Sequence, residues 1–199
     1  MVHLAGRFGP DDPAVAGRVK LRAAYDRAVA ARRAFALPGY PTLAQAGFDG
    51  DYVSPIQITS GNLTGPLLMS KDWLDAPSAH KHRETLRVTG YLPNNPFNQV
   101  VNRVLTLLGM CRTDIYITPI FHLLTPTRSS TIPVAAARAS FDAVGRFELM
   151  GRRPVALGTD SARVLEHFGV DHVKAPHPSA RIGSYDARAE LIAQAVRAT

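Results

Sequence analysis

The sequence predicts an α/β fold: three layers, α/β/α, around a central, mostly parallel four-stranded sheet. Three observations carry this. Four short apolar runs each lead into a polar or turn-rich segment, segments of helical periodicity alternate with them, and 199 residues at 46% hydrophobic content suit one packed domain.

Taken in order, residues 12–36 read as an amphipathic helix. Val15, Val19, Leu21, Ala24, Tyr25, Ala28 and Val29 supply its apolar positions, and Arg18, Lys20, Arg22, Arg27, Arg32 and Arg33 stand between them. Pro38-Gly39 stops it. Such a helix covers a core, and its arginines are also candidates for phosphate contacts. Residues 39–65 are rich in Gly, Pro, Asn, Asp and Ser and read as a long irregular connection, a kind that is often functional or mobile. Segment 1–65 is expected to pack on the rest, so that residues 1–199 form a single domain.

The apolar runs are Pro66-Leu67-Leu68-Met69, Asp114-Ile115-Tyr116-Ile117-Thr118, Pro154-Val155-Ala156-Leu157 and Asp171-His172-Val173-Lys174-Ala175. The second and third have the β-branched content and length of buried strands; the fourth is weaker, with Lys174 set awkwardly inside it. Helical patterns fall at 97–109, 133–150, 159–168 and 186–197. Strands separated by helices form βαβ units and hence parallel ladders.

Composition excludes several classes. One cysteine, Cys111, permits no disulfide framework, no cysteine-based zinc site and no four-cysteine cluster within the chain. No stretch reaches the roughly 18 apolar residues of a membrane span, and residues 1–13 lack the apolar core of a secretory signal. A cytoplasmic monomer that touches no membrane, with no metal and no organic cofactor, is the expectation. The formal net charge of +7 favours a polyanionic partner such as nucleic acid, although the basic residues are spread along the chain. A Gly-rich phosphate loop of the G-x-x-x-x-G-K type is lacking, which counts against a nucleoside triphosphatase.

In an open parallel sheet, ligands bind beyond the carboxyl ends of the strands. The segments that follow the four runs are Ser70-Lys71-Asp72-Trp73-Leu74-Asp75, Pro119-Ile120-Phe121-His122, Gly158-Thr159-Asp160 and Pro176-His177-Pro178-Ser179-Ala180-Arg181. This topology sets Asp72 and His177 on the same side of the sheet.

Residues 66–182 resemble the uracil-DNA glycosylase superfamily. Leu67-Leu68-Met69-Ser70-Lys71-Asp72-Trp73 resembles its first motif, a strand followed by a loop bearing an aspartate. Pro96-Phe97 resembles the segment that stacks an aromatic ring on the flipped base, and Asp114-Ile115-Tyr116-Ile117-Thr118 resembles its central strand. Leu157-Gly158-Thr159-Asp160-Ser161-Ala162 resembles the turn into the next helix, and His177-Pro178-Ser179 the motif that closes the site.

The resemblance implies a monofunctional DNA glycosylase that flips a uracil or a modified base into a pocket. Asp72 would stabilise the cationic sugar and orient water, and His177 would stabilise the negative charge developing on the base. Phe97 would stack on the base, with Trp73, Lys71, His122 and Pro119 around it. Arg181 and Ile182 would press into the minor groove, and Ser179, Thr159 and Arg128 would contact DNA. Pro119 stands where the family usually has an asparagine that reads uracil; a proline has neither side-chain donor nor N–H, so His122 or backbone groups would replace it.

Structural roles compete for the same residues. Asp72 fits a helix N-cap, Phe97 and Trp73 fit a core, and the His80-Lys81-His82-Arg83 cluster fits either a solvated loop or a phosphate contact. Two other functions compete as well: a catalytically inactive DNA-binding protein, and a nucleotide or nucleoside N-glycosidase.

Overall fold

The computed structural model describes residues 13–199; the reading of residues 1–13 as lacking a secretory core falls almost wholly outside them. The chain forms a four-stranded, all-parallel sheet with helices on both faces, a three-layer α/β/α fold. Helix α1 (Pro13–Ala34) opens it, followed by strand β1 (Leu67–Ser70), helices α2 (Ala76–Lys81), α3 (Arg83–Thr89) and α4 (Pro96–Leu108), and strand β2 (Tyr116–Pro119). Then come α5 (Val134–Ser140), a π-helical turn (Phe141–Gly145), α6 (Arg146–Glu148), β3 (Val155–Leu157), α7 (Thr159–His167), β4 (Val173–Ala175) and α8 (Tyr185–Arg197). The sheet order is β2-β1-β3-β4. Ser70 lies opposite Pro119, Leu68 opposite Val155 and Leu157 opposite Ala175, so the four carboxyl ends form one edge.

Alternation along the strands builds both outer layers. Leu67, Met69, Tyr116 and Ala156 face α1, α5 and α7, joining a core with Tyr25, Val29, Phe141 and Leu165. Leu68, Ile117, Val155 and Leu157 face the other way and pack on Val100, Val104, Ile192 and Val196 of α4 and α8. Strands β1, β2 and β3 are buried on both faces, which is why they read as apolar runs. Strand β4 is a half-exposed edge, where Lys174 turns outward to an ion pair with Glu166. That pair explains the lysine in an otherwise apolar run.

Several boundaries differ from the expectation. Strand β2 starts at Tyr116 and not Asp114, because Arg112–Asp114 is a 3₁₀ turn closed by Asp114 Oδ2, which accepts the Cys111 N–H at 2.8 Å. Strand β4 starts at Val173, since Val170 O bonds the His172 ring at 2.8 Å in the preceding bend. The connection at 39–65 is largely packed inside: Leu43, Phe48, Val53 and Ile56 are buried, and Pro55–Ile58 forms a 3₁₀ turn. Arg32 of α1 is buried and holds this connection, donating to Asp49 Oδ1, Gly50 O and Tyr52 O, each at 2.8 Å. Helices α2 and α3 divide the His80-Lys81-His82-Arg83 cluster, with His82 at their junction. No helix among the described residues is long and apolar enough to cross a membrane.

Candidate functional site

A cleft of about 820 Å³ opens beyond the carboxyl ends of the strands, within the size range of small-molecule and cofactor sites. Asp72, Trp73, Phe97, Pro119 and His177 line it, with Ser179, Arg181 and Arg128 toward its mouth.

The acid comes from the β1 exit. Ser70 Oγ donates to Asp72 O at 3.3 Å, closing the turn. The helix cap that competed for Asp72 falls to Asp75, whose Oδ1 accepts the Ser78 N–H at 2.9 Å at the start of α2. The Asp72 carboxylate is therefore free of capping duty. Burial raises its pKa, with the neighbouring Lys71 cation pulling the other way. A carboxylate that is desolvated in a cleft yet caps nothing is a candidate functional group.

Trp73 joins the cleft to a small side core. Its Nε1 donates to Gly90 O at 2.9 Å, and its ring meets Phe48 edge-on with centroids 5.2 Å apart. Phe97 is set by the start of α4: Asn95 Oδ1 accepts the Asn98 N–H at 2.8 Å, Pro96 fills the first turn, and the next residue projects into the cleft. Its half-buried ring lies 5.5 Å from the His177 ring. Phe97 thus serves the core beneath and the cleft above.

His177 sits in the loop after β4. Its Nδ1 accepts the Ser179 N–H at 3.1 Å, so the neutral ring carries its proton on Nε2. Burial, helped by the Lys71 charge, lowers its pKa to about 4. At neutral pH the ring is an uncharged donor. The loop comes so close to the β3 exit that a Cβ on Gly158 would lie 3.0 Å from His177 Cβ, and Gly158 adopts φ +94°. Lys71, whose charge acts on both the acid and the histidine, reaches Asp160 Oδ2 with Nζ at 3.2 Å, tying the β1 exit to α7.

His122 is the clear correction. It was expected beside Pro119 in the pocket, but the chain after β2 stays buried from Ile120 to Thr125 and carries His122 away from the cleft, beneath the sheet. There His122 Nε2 meets Glu148 Oε2 at 2.8 Å. Ser140 Oγ accepts the His122 N–H at 2.8 Å and lies 3.1 Å from Nδ1. Glu148 also accepts from Gln57 Nε2 (2.8 Å), the Tyr116 hydroxyl (2.5 Å) and Thr118 Oγ1 (2.9 Å). This is a closed polar network, with four donors on one buried carboxylate. Nothing in the spacing of Gln57, Tyr116, His122 and Glu148 marks it out in the sequence.

Thr159 and Ile182 line a neighbouring hollow of about 420 Å³ on the far side of the His177 loop, not the main cleft. Lys71 is paired with Asp160 and does not line the cleft. His82, from the cluster read as either a solvated loop or a phosphate contact, lines the cleft, and sequence reasoning missed Tyr91, Asn95, Asn98 and Arg188, which line it too. Asn95-Pro96 before Phe97 was a usable signal, since Asn followed by Pro is a helix-start signature. The chain matches none of the protein-family models and none of the curated proteins with which it was compared.

Proposed function

We propose that this protein is a monofunctional DNA N-glycosylase, a cytoplasmic monomer that flips a base out of DNA and hydrolyses its glycosidic bond. The observation that carries the reading is the meeting of Asp72, Phe97 and His177, from three separate elements, around one cleft. The flipped base would stack on Phe97. The His177 Nε2–H would donate to a carbonyl oxygen of the base as the C1′–N bond breaks and the bonding pair leaves with the base. The Asp72 carboxylate would lie by the cationic sugar and direct a water to C1′; that water's proton passes to the departing base, directly or by way of Asp72. Uracil is the first base to test, and a modified base is the second, because Pro119 presents no hydrogen-bonding group at the end of β2.

The test uses single- and double-stranded oligonucleotides carrying uracil, hypoxanthine or a bulky modified cytosine, followed by alkaline cleavage of abasic sites. Excision of one of them is expected. Asp72→Asn and His177→Ala should each reduce it by at least about a hundredfold while leaving DNA affinity close to wild type. Binding without any abasic product would mean a non-catalytic DNA-binding protein. Release of base from a mononucleotide but not from DNA would mean a nucleoside-processing enzyme. Wild-type turnover in Asp72→Asn would remove that residue from the chemistry.

A further inference from the structure

Two arginines among the described residues are buried, Arg32 and Arg188, at 3% and 4% exposure. Arg32 pairs with Asp49. Arg188 has no carboxylate partner among the described residues, and the nearby acid Asp186 is paired with Arg103 at 2.7 Å. Buried charges are normally paired, because an unpaired one forfeits its hydration without return. Arg188 lines the cleft. Its Nη1 donates to Ile182 O at 2.7 Å and Gly183 O at 2.9 Å. Its Nε is buried with no partner, and no acceptor among the described residues takes Nη2. The plane is steadied by Tyr185, whose ring centroid lies 4.9 Å from Cζ.

We infer that Arg188 and the start of α8 form a phosphodiester-binding subsite of the cleft, for a backbone phosphate of bound DNA. This rests on the nucleic-acid reading given above and adds to it the anion that the buried cation lacks. With Nη1 held by two carbonyls and Nε sealed from solvent, Nη2 is the donor left for a phosphate oxygen, in a charge-assisted hydrogen bond. The start of α8 adds its partial positive charge, since Gly183 and Tyr185 both border the cleft. Because Nη1 also holds the carbonyls of Ile182 and Gly183, a phosphate on this guanidinium would stiffen the loop that carries His177.

Counterion release separates a phosphate contact from a purely structural one. Each neutralised phosphate adds about 0.9 to the slope of log affinity against log salt. Affinity for a fluorescein-labelled duplex with a central abasic-site analogue is measured by anisotropy from about 50 to 200 mM potassium chloride, for wild type, Arg188→Gln, Arg181→Gln and the double variant. Arg188→Gln should bind roughly tenfold more weakly at low salt and lose about 0.9 of slope; the double variant should lose more slope than either single one. Weakened binding at unchanged slope would overturn the subsite, as would a double variant no shallower than Arg181→Gln, because Arg188 would then act only through the loop that carries Arg181. In the wild-type protein the Arg188 Nε–H resonance should shift on titration with the duplex, and an unmoved resonance would overturn the subsite even if the variants fail to fold. A shifted resonance and the slope loss without excision of any base would remove the glycosylase and leave the phosphate site.

Discussion

Gly158→Ala tests whether the approach between the β3 exit and the His177 loop is needed. Gly158 has φ 94° and ψ 171°, a region open to glycine almost alone, where another residue costs about 1–3 kcal/mol. The added methyl would also lie 3.0 Å from His177 Cβ, so one side must retreat by several tenths of an ångström. Retreat is resisted, because Gly158 N donates to Ala175 O at 2.9 Å and Pro178 is buried just beyond. For a chain of this size, about 2 kcal/mol lowers Tm by roughly 4–8 °C. Displacement of the histidine by up to an ångström would reduce excision by about a hundredfold. Gly151→Ala is the control: its φ is +73° with no atom within 4 Å of the added Cβ, so it bears backbone strain without touching the loop. Differential scanning fluorimetry and single-turnover excision read the two effects. A Gly158→Ala protein as active as Gly151→Ala would refute the claim that this contact sets His177.

Three further outcomes are expected. His177 binds its proton near pH 4 in the folded protein and near 6.5 when unfolded. The unfolded state therefore holds more protons between those values, and stability falls as pH drops through that window. Relative to His177→Gln, wild type should lose roughly 3 kcal/mol between pH 7 and 4 in urea melts, and parallel curves would contradict the burial of the ring. The proposed reaction needs Asp72 ionised, and burial raises its pKa, so excision should fall on the acid side at a pH above that of an ordinary aspartate; a rate that is flat down to pH 4 would exclude its carboxylate. Glu148→Ala strands four donors in a sealed site and should cost about 3–5 kcal/mol in chemical denaturation, whereas a loss below about 1 kcal/mol would show that water enters the network.

The sheet was legible because its inner strands are buried on both faces and must be written as apolar runs. The same pattern rule failed at residues 76–89. Helices α2 and α3 are short and broken at His82, and their few buried side chains, such as Ala79 and Leu86, make no periodic stripe. Asp72 and His177 were legible because strand order fixes which edge they reach. His122 was misplaced because sequence gives the distance past a strand end but not the face toward which the chain turns, and a buried acid 26 residues away decided that. Arg188 gave no signal, since a basic residue on a polar-looking helix reads as solvated until its burial is seen.

The strand order also bears on how the molecule is made. Strand β1 lies between β2 and β3, both of which follow it in the chain, and no two sheet neighbours are joined by a hairpin. Every ladder must close over a long intervening segment, so the entropy of loop closure is spent before the pairing returns it, and folding is expected to be slow for the chain's length. A nascent chain leaving the ribosome exposes the apolar residues 67–70 long before their partners emerge, and such exposed segments are what chaperones shield. The cleft cannot exist until the segment after β4 arrives. Asp72 is thus synthesised early and remains without His177 until the whole sheet has been translated.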